Sequence, residues 1–324
     1  MDVCVLKWGC CCMVIKKFRF FIVLLAVVAS LESSIRLPTC LCWNNKQKTT
    51  QEFSSIQLEY DNCEVKAQQW YRELQSGESL RDFFLKKRDE AIYPLREKLF
   101  TSINSITGWS RIFIVQQLKK LGKRWQASLS FSFCCTRSTL FKDKALYEKK
   151  IKEIIEEDCT ITFIETDQAI IKCIAYRQLY FKKLNIIIYI NHDDLNRYNF
   201  SSQARIGAIV HESIHGRDMA NMEVSFEHMI CLLDSIDIAD NKGNKIFIPK
   251  EDLAEFTCIN EEYTDILGAA TSLENGKAIV CTMQAMYDNF QDSTGSTHPK
   301  ASLRIENSQA VCRLHELIKK NPKK

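Results

Sequence analysis

The sequence is poor in the residues that break regular structure. Ten glycines and five prolines are spread over 324 residues, which argues against a turn-rich β architecture and for long helices. No Cys-x-x-Cys pair occurs among the fifteen cysteines, so a cysteine-based zinc knuckle is excluded. Charge of one sign is also lacking: the net charge is +4, too small to argue for a nucleic-acid partner. Nor is there an apolar run of about 20 residues, the length that a comfortable membrane-spanning helix needs. Hydrophobic residues make up 46% and charged residues 26%, ordinary values for a globular chain. The length allows one large domain or two smaller ones with a buried core.

The N-terminus has the layout of an export signal. Lys16, Lys17 and Arg19 precede the apolar run Phe20–Ala29, and Ser30 follows. A basic segment, a short apolar segment and small residues near a cleavage point define a secretory signal peptide. Left uncleaved, residues 1–30 would act as a signal anchor. Met13 is the more typical start, because it leaves a short basic segment. Either way the chain is expected to be exported, to a periplasm or cell envelope or into the medium. Export permits disulfides, but the odd cysteine count leaves their pairing open. Leu37-Pro38-Thr39-Cys40 makes a poor lipid-attachment motif, so Cys40 and Cys42 read better as disulfide ends.

Residues 31–50 read as a linker. Residues 51–140 form a helical N-terminal region of unknown role, with apolar spacing over Ala67–Leu74 and Leu80–Leu99 and an expected break at Pro94. Arg111, Lys119, Lys120, Lys123 and Arg124 interleave with Ile112–Val115, Leu118, Leu121 and Trp125. Such a basic amphipathic stretch can touch an anionic membrane surface peripherally or pack as an ordinary helix. The third part, 141–324, opens with a charged helix over 142–158. Three β-branched runs follow, at Thr160–Ile164, Ala169–Ala175 and Leu184–Ile190, and predict a small sheet. From Ser202 onward the pattern is helical except for the Asn241–Pro249 connection. The fold class is therefore α+β, mainly helical with a small sheet.

One stretch carries chemistry. Val210-His211-Glu212-Ser213-Ile214-His215 follows a capping Ser201-Ser202, and Ile206, Ile209, Val210 and Ile214 recur at helical spacing. Residues four apart share a helix face, so His211 and His215 can bind one Zn²⁺ while Glu212 takes a proton from the coordinated water. Gly207, one turn earlier, would leave space there. A chance His-Glu-x-x-His arises in about one such chain per hundred, so a third ligand is required to give the motif weight. Asp218 and Asn221 stand where the metzincin extension needs Gly and His, which excludes that class. A second helix offers Asn260-Glu261-Glu262-Tyr263-Thr264-Asp265. Glu261 and Asp265 are four apart, so Glu261 can ligate while Asp265 accepts the free N–H of a ligating histidine. Glu262 competes as ligand; Glu261 is favoured by its spacing to Asp265. Gly268 and Ala269 continue that face with small residues.

Glu-x-x-x-Asp on the helix after His-Glu-x-x-His is the gluzincin arrangement. With Ser296-Thr297-His298-Pro299 and Arg304 following in order, residues 160–310 resemble the HtpX-like, CAAX-prenyl-protease-like and Oma-type metallopeptidases. The resemblance implies a zincin-type fold and one Zn²⁺ held by His211, His215 and Glu261. It also implies Glu212 as general base and Asp265 behind a ligand. His298 would contact substrate or the developing oxyanion, and Arg304 would pair with a carboxylate. The Leu184–Ile190 run would be the edge strand that pairs with extended substrate. Departures are Ile214 before the second histidine, Thr264 where the family has Ala, and the absence of transmembrane helices, which points to an exported, non-polytopic branch. The expected function is a zinc endopeptidase acting on extended or unfolded exported polypeptides. The alternatives are a non-catalytic exported binding or assembly protein with a relict zinc site, and a role for residues 51–150 as a pro-region or cap. Of the other histidines, His192 is expected at a turn and helix cap, His228 packed, and His315 exposed.

Overall fold

A computed structural model describes residues 60–133, 136–167, 170–177, 183–221, 250–290 and 298–322. The signal segment, the linker, the Asn241–Pro249 connection and His228 lie outside the described residues. The chain runs through α1 (Tyr60–Glu73), α2 (Leu80–Thr107), α3 (Arg111–Ser132) and α4 (Lys144–Ile155). Strands β1 (Cys159–Glu165), β2 (Ile171–Arg177) and β3 (Leu184–Ile190) follow. The short α5 (His192–Arg197) precedes α6 (Ser202–Ala220), α7 (Lys250–Thr271), α8 (Leu273–Phe290) and α9 (Ala301–Lys320). The fold is α+β, with helices predominating.

Local chemistry explains several boundaries. Ser79, Ser110 and Ser201 cap α2, α3 and α6 by accepting N–H bonds from Asp82, Phe113 and Ala204. Gly108 closes α2 in the left-handed conformation that glycine adopts without a Cβ clash. Pro94 does not break α2, which runs through it for 28 residues. The proline costs one backbone hydrogen bond. That loss is offset by the packing of Ile92, Leu95, Leu99 and Phe100 with Ile114 and Leu118 of α3 and Phe256 of α7. The helix carrying Glu261 ends earlier than expected, at Thr271. Ser272 Oγ accepts the Asn275 N–H, so Asn275 and Gly276 start a new helix instead of ending the old one.

The three expected strands form one sheet in the order β1-β3-β2, with β1 parallel and β2 antiparallel to β3. Here the expected substrate-pairing edge is corrected. Leu184–Ile190 is the central strand, bonded on both sides, and almost every residue in it is buried. A continuous apolar run suits a strand covered on both faces. The edge strand on the side of α6 is β2.

One face of the sheet joins the main core through Phe163, Cys173, Ala175, Ile186 and Ile188, packed with Ile209, Val210 and Ile214 of α6. The opposite face, Ile174, Tyr176 and Ile187, is covered by Trp125 and Leu129 of α3. The N-terminal helices share this main core through Ala67, Phe83 and Phe84. A buried ion pair, Arg88 to Asp218 at 2.5 Å, joins α2 to α6. Helix α6 is consequently enclosed on nearly all sides.

Gly207 has a different role from the one its position suggested. A Cβ there would lie 2.1 Å from the Ala278 carbonyl oxygen of α8, so the missing side chain makes room for a neighbouring backbone. Gly207→Ala should therefore destabilise the protein by about 1–3 kcal/mol through overpacking. Urea denaturation checks this; an unchanged midpoint would show that α8 can give way. Gly268 behaves as expected, sitting against Val210 and Ile279, where a Cβ would be 3.0 and 2.6 Å from their side chains.

Candidate metal centre

Helix α6 delivers His211 and His215 one turn apart, and both are buried. That burial excludes a surface helix with two solvated imidazoles. Helix α7 delivers Glu261 opposite them. The three donor atoms approach closely: His211 Nε2 to His215 Nε2 is 3.1 Å, His211 Nε2 to Glu261 Oε2 is 3.3 Å, and His215 Nε2 to Glu261 Oε1 is 3.1 Å. This buried group is close enough to bind a metal ion. Glu262, the competing candidate, turns elsewhere and accepts a 2.7 Å hydrogen bond from Asn307 of α9.

The groups behind the donors are also brought together. His211 Nδ1 donates to Asp265 Oδ1 at 2.8 Å, which leaves the Nε2 lone pair directed at the cluster. Arg304, from α9, donates through Nε to Asp265 Oδ2 and through Nη2 to Oδ1 at 3.2 Å. Its Nη2 is also 3.7 Å from Glu261 Oε2. His298, just before α9, places Nε2 3.7 Å from the same oxygen. Six of the residues named from the sequence therefore meet at one site.

Glu212 is not among the donors. Its Oε2 accepts the Cys173 backbone N–H of β2 at 2.8 Å, an anchor with no signature in the sequence beyond the strand pattern itself. Gly216 belongs to the same contact, since a Cβ there would lie 2.7 Å from Cys173 Sγ. A small cavity of about 30 Å³, partly open to solvent, adjoins the cluster. His211, Glu212, Glu261 and Arg304 line one side, and Ile170, Ile171, Phe200, Ala208, Met283 and Met286 much of the rest.

The electrostatics follow from burial against close charge. Burial raises the Glu212 carboxyl, and the two histidines and the Cys173 N–H only partly oppose it. Burial would likewise raise Glu261, yet His215 and His211 hold it well below the usual carboxylate range. Asp265 is held low against burial by Arg304 and His211. Burial lowers His298. For His211 burial would also act downward, but Asp265 and Glu261 outweigh it and push the imidazole up to about 10.

A pH dependence follows. A cation can bind His211 only when the imidazole is unprotonated, so binding must release a proton throughout the range below pH 10. Metal affinity should keep rising with pH above neutrality, where an ordinary histidine would give a flat profile. Titration calorimetry in buffers of different ionisation enthalpy measures the proton count; none released at pH 8 would contradict it.

Two other histidines fall outside the cluster. His192 begins α5, and its Nδ1 lies 2.6 Å from Glu165 Oε2. His315 is half-buried, not exposed as expected: its Nε2 bonds the Ala269 carbonyl at 3.0 Å, because α9 packs along α7. Among the described residues the six cysteines are free, and no helix is long and apolar enough to cross a membrane. Comparison with known proteins finds no matching family model, curated protein or solved structure.

Proposed function

We propose that the chain is a zinc-dependent endopeptidase of the gluzincin type, with a zincin-type catalytic fold akin to the HtpX-like and Oma-type enzymes. The observation that carries this reading is the meeting of two imidazoles and one carboxylate beside a glutamate that does not ligate. Donor atoms about 2.0–2.1 Å from a tetrahedral ion lie about 3.3 Å from one another, which matches the separations of 3.1–3.3 Å. Two nitrogen donors disfavour Mg²⁺ and Ca²⁺, which prefer all-oxygen sites, and favour zinc. A purely structural zinc site usually fills its fourth position with a protein ligand and has no use for a base.

His211, His215 and Glu261 would hold the ion, with Asp265 fixing the His211 ring and Arg304 fixing Asp265. Bound zinc supplies Lewis acidity, polarising the scissile carbonyl and acidifying water. Glu212 accepts the proton of the attacking water at its carboxylate and passes it to the departing amine. Burial raises its carboxyl, the direction that helps a base hold the proton it must pass on. His298, whose Nε2 is 3.7 Å from Glu261 Oε2, would donate to the developing oxyanion. An extended polypeptide would add along the outer edge of β2, next to Glu212. The N-terminal signal pattern makes exported or envelope polypeptides the proposed substrates, and exposed Lys119, Lys120 and Arg124 on α3 suit peripheral contact with an anionic membrane.

The test is metal content beside cleavage of an unfolded polypeptide. About one zinc per chain is expected, with cleavage lost on chelation and restored by zinc. A chain that holds zinc and leaves unfolded polypeptide intact would overturn the peptidase reading in favour of a binding or assembly role.

A further inference from the structure

In an antiparallel edge strand, alternate residues turn their backbone groups away from the partner strand. On β2 those outward groups are identified by side chains that bond them. Cys173 N–H is taken by Glu212 at 2.8 Å, and Arg177 N–H by Gln126 Oε1 at 2.7 Å. The Ala175 carbonyl accepts from Gln126 Nε2 at 3.4 Å, and the Arg177 carbonyl from Ser130 Oγ at 3.1 Å. The two ends of one edge are thus treated differently. At Ile171 it borders the cavity of the metal cluster, and the next outward N–H, that of Cys173, is held by Glu212. Two residues further on, a carboxamide presents one donor and one acceptor, as the peptide group of an added strand would.

The plug is firmly seated. Trp125 and Leu129 are buried against Ile174, Tyr176 and Ile187, and the next residue after each, Gln126 and Ser130, reaches over the strand edge. Being four apart, they lie on one side of α3. Gln126 Nε2 also donates to the Met219 carbonyl in the last turn of α6, at 3.1 Å. The gap between α6 and β2 is therefore bridged at this end.

We infer that Gln126 and Ser130 are an end-stop for the substrate strand: β2 accepts backbone pairing beside Ile171 and refuses it from Ala175 onward. The inference rests on the peptidase reading and deepens it. The enzyme would read a short extended stretch around the scissile bond, with strand pairing cut off on one side. Simple protection of a sheet edge would need the same hydrogen bonds but would not make cleavage depend on peptide length from one side alone.

A peptide series tests this: one cleavable core, extended residue by residue at the N-terminal end in one set and the C-terminal end in another. For wild type, kcat/KM is expected to stop rising within two or three residues of the scissile bond on one side and to keep rising on the other. In a Gln126→Ala/Ser130→Ala variant the plateau should give way to a several-fold further rise. Gln126→Met keeps the packing while removing both hydrogen-bonding groups, and it should show the same change if the double variant fails to fold. A length profile identical in wild type and variant, or symmetrical in wild type, overturns the end-stop alone. No cleavage of any peptide by wild type overturns it together with the peptidase reading.

Discussion

Replacing Glu212 by Gln should lower turnover of an unfolded polypeptide by roughly 10²–10⁴-fold, the usual contribution of a positioned general base, with metal content unchanged. The expectation follows from position. The carboxylate lies next to the His211–His215–Glu261 group but outside it, and one of its oxygens is already held by the Cys173 N–H. Glutamine has the same shape and retains an oxygen to accept that bond, so the junction of α6 and β2 survives. What it cannot do is accept a proton. Metal analysis, thermal melting and kcat/KM measured together separate these effects. A variant that held zinc and cleaved at the wild-type rate would remove Glu212 from the reaction.

Arg304→Ala should cost about 3–5 kcal/mol of stability, the range for breaking a buried ion pair by removing one partner. Arg304 is 3% exposed and Asp265 is fully buried. The guanidinium makes a two-point contact with that carboxylate and faces Glu261 as well. Without it, two buried carboxylates would share a site in which only the histidines offset their charge. Asp265 would also lose the group that aims it at His211, so metal affinity should fall by about 10–100-fold. Denaturation should show a larger deficit in metal-free protein than in loaded protein, because a bound cation restores compensation. Arg304→Lys should recover only part, since an ammonium cannot make the forked contact. A loss below about 1 kcal/mol would show that Asp265 finds its compensation elsewhere.

Much of this centre was legible before any coordinates, because a helix repeats every 3.6 residues. Spacing alone placed His211 with His215, and Glu261 with Asp265, on common faces. β-branched composition located the three strands to within two residues at their N-terminal ends, and the Ser201-Ser202 cap gave the start of α6. Arg304 and His298 were attached only through a family resemblance, and the structure brings both to the cluster.

What the chain's order could not express is which surfaces meet. Glu261 and Glu262 are neighbours, each with a helical partner in reach, and only the seating of α7 between α6 and α9 turns one to the histidines and the other to Asn307. The family resemblance made Leu184–Ile190 an edge, and nothing in a run of apolar residues says how many strands flank it. Ile171–Arg177 became the edge through pairings 7 to 19 residues apart, and its residue 173 the anchor of Glu212 across 39. Pro94 was outweighed by packing around α2, Gly207 was claimed by the backbone of α8, and Gln126 met the end of β2 across 51 residues. The sequence by itself determined which residues are able to hold a metal and which share a helix face, because both are set by residue type and local period. Tertiary structure alone decided which carboxylate meets the histidines and which strand lies at the edge of the sheet, because each depends on long-range packing that leaves no periodic mark.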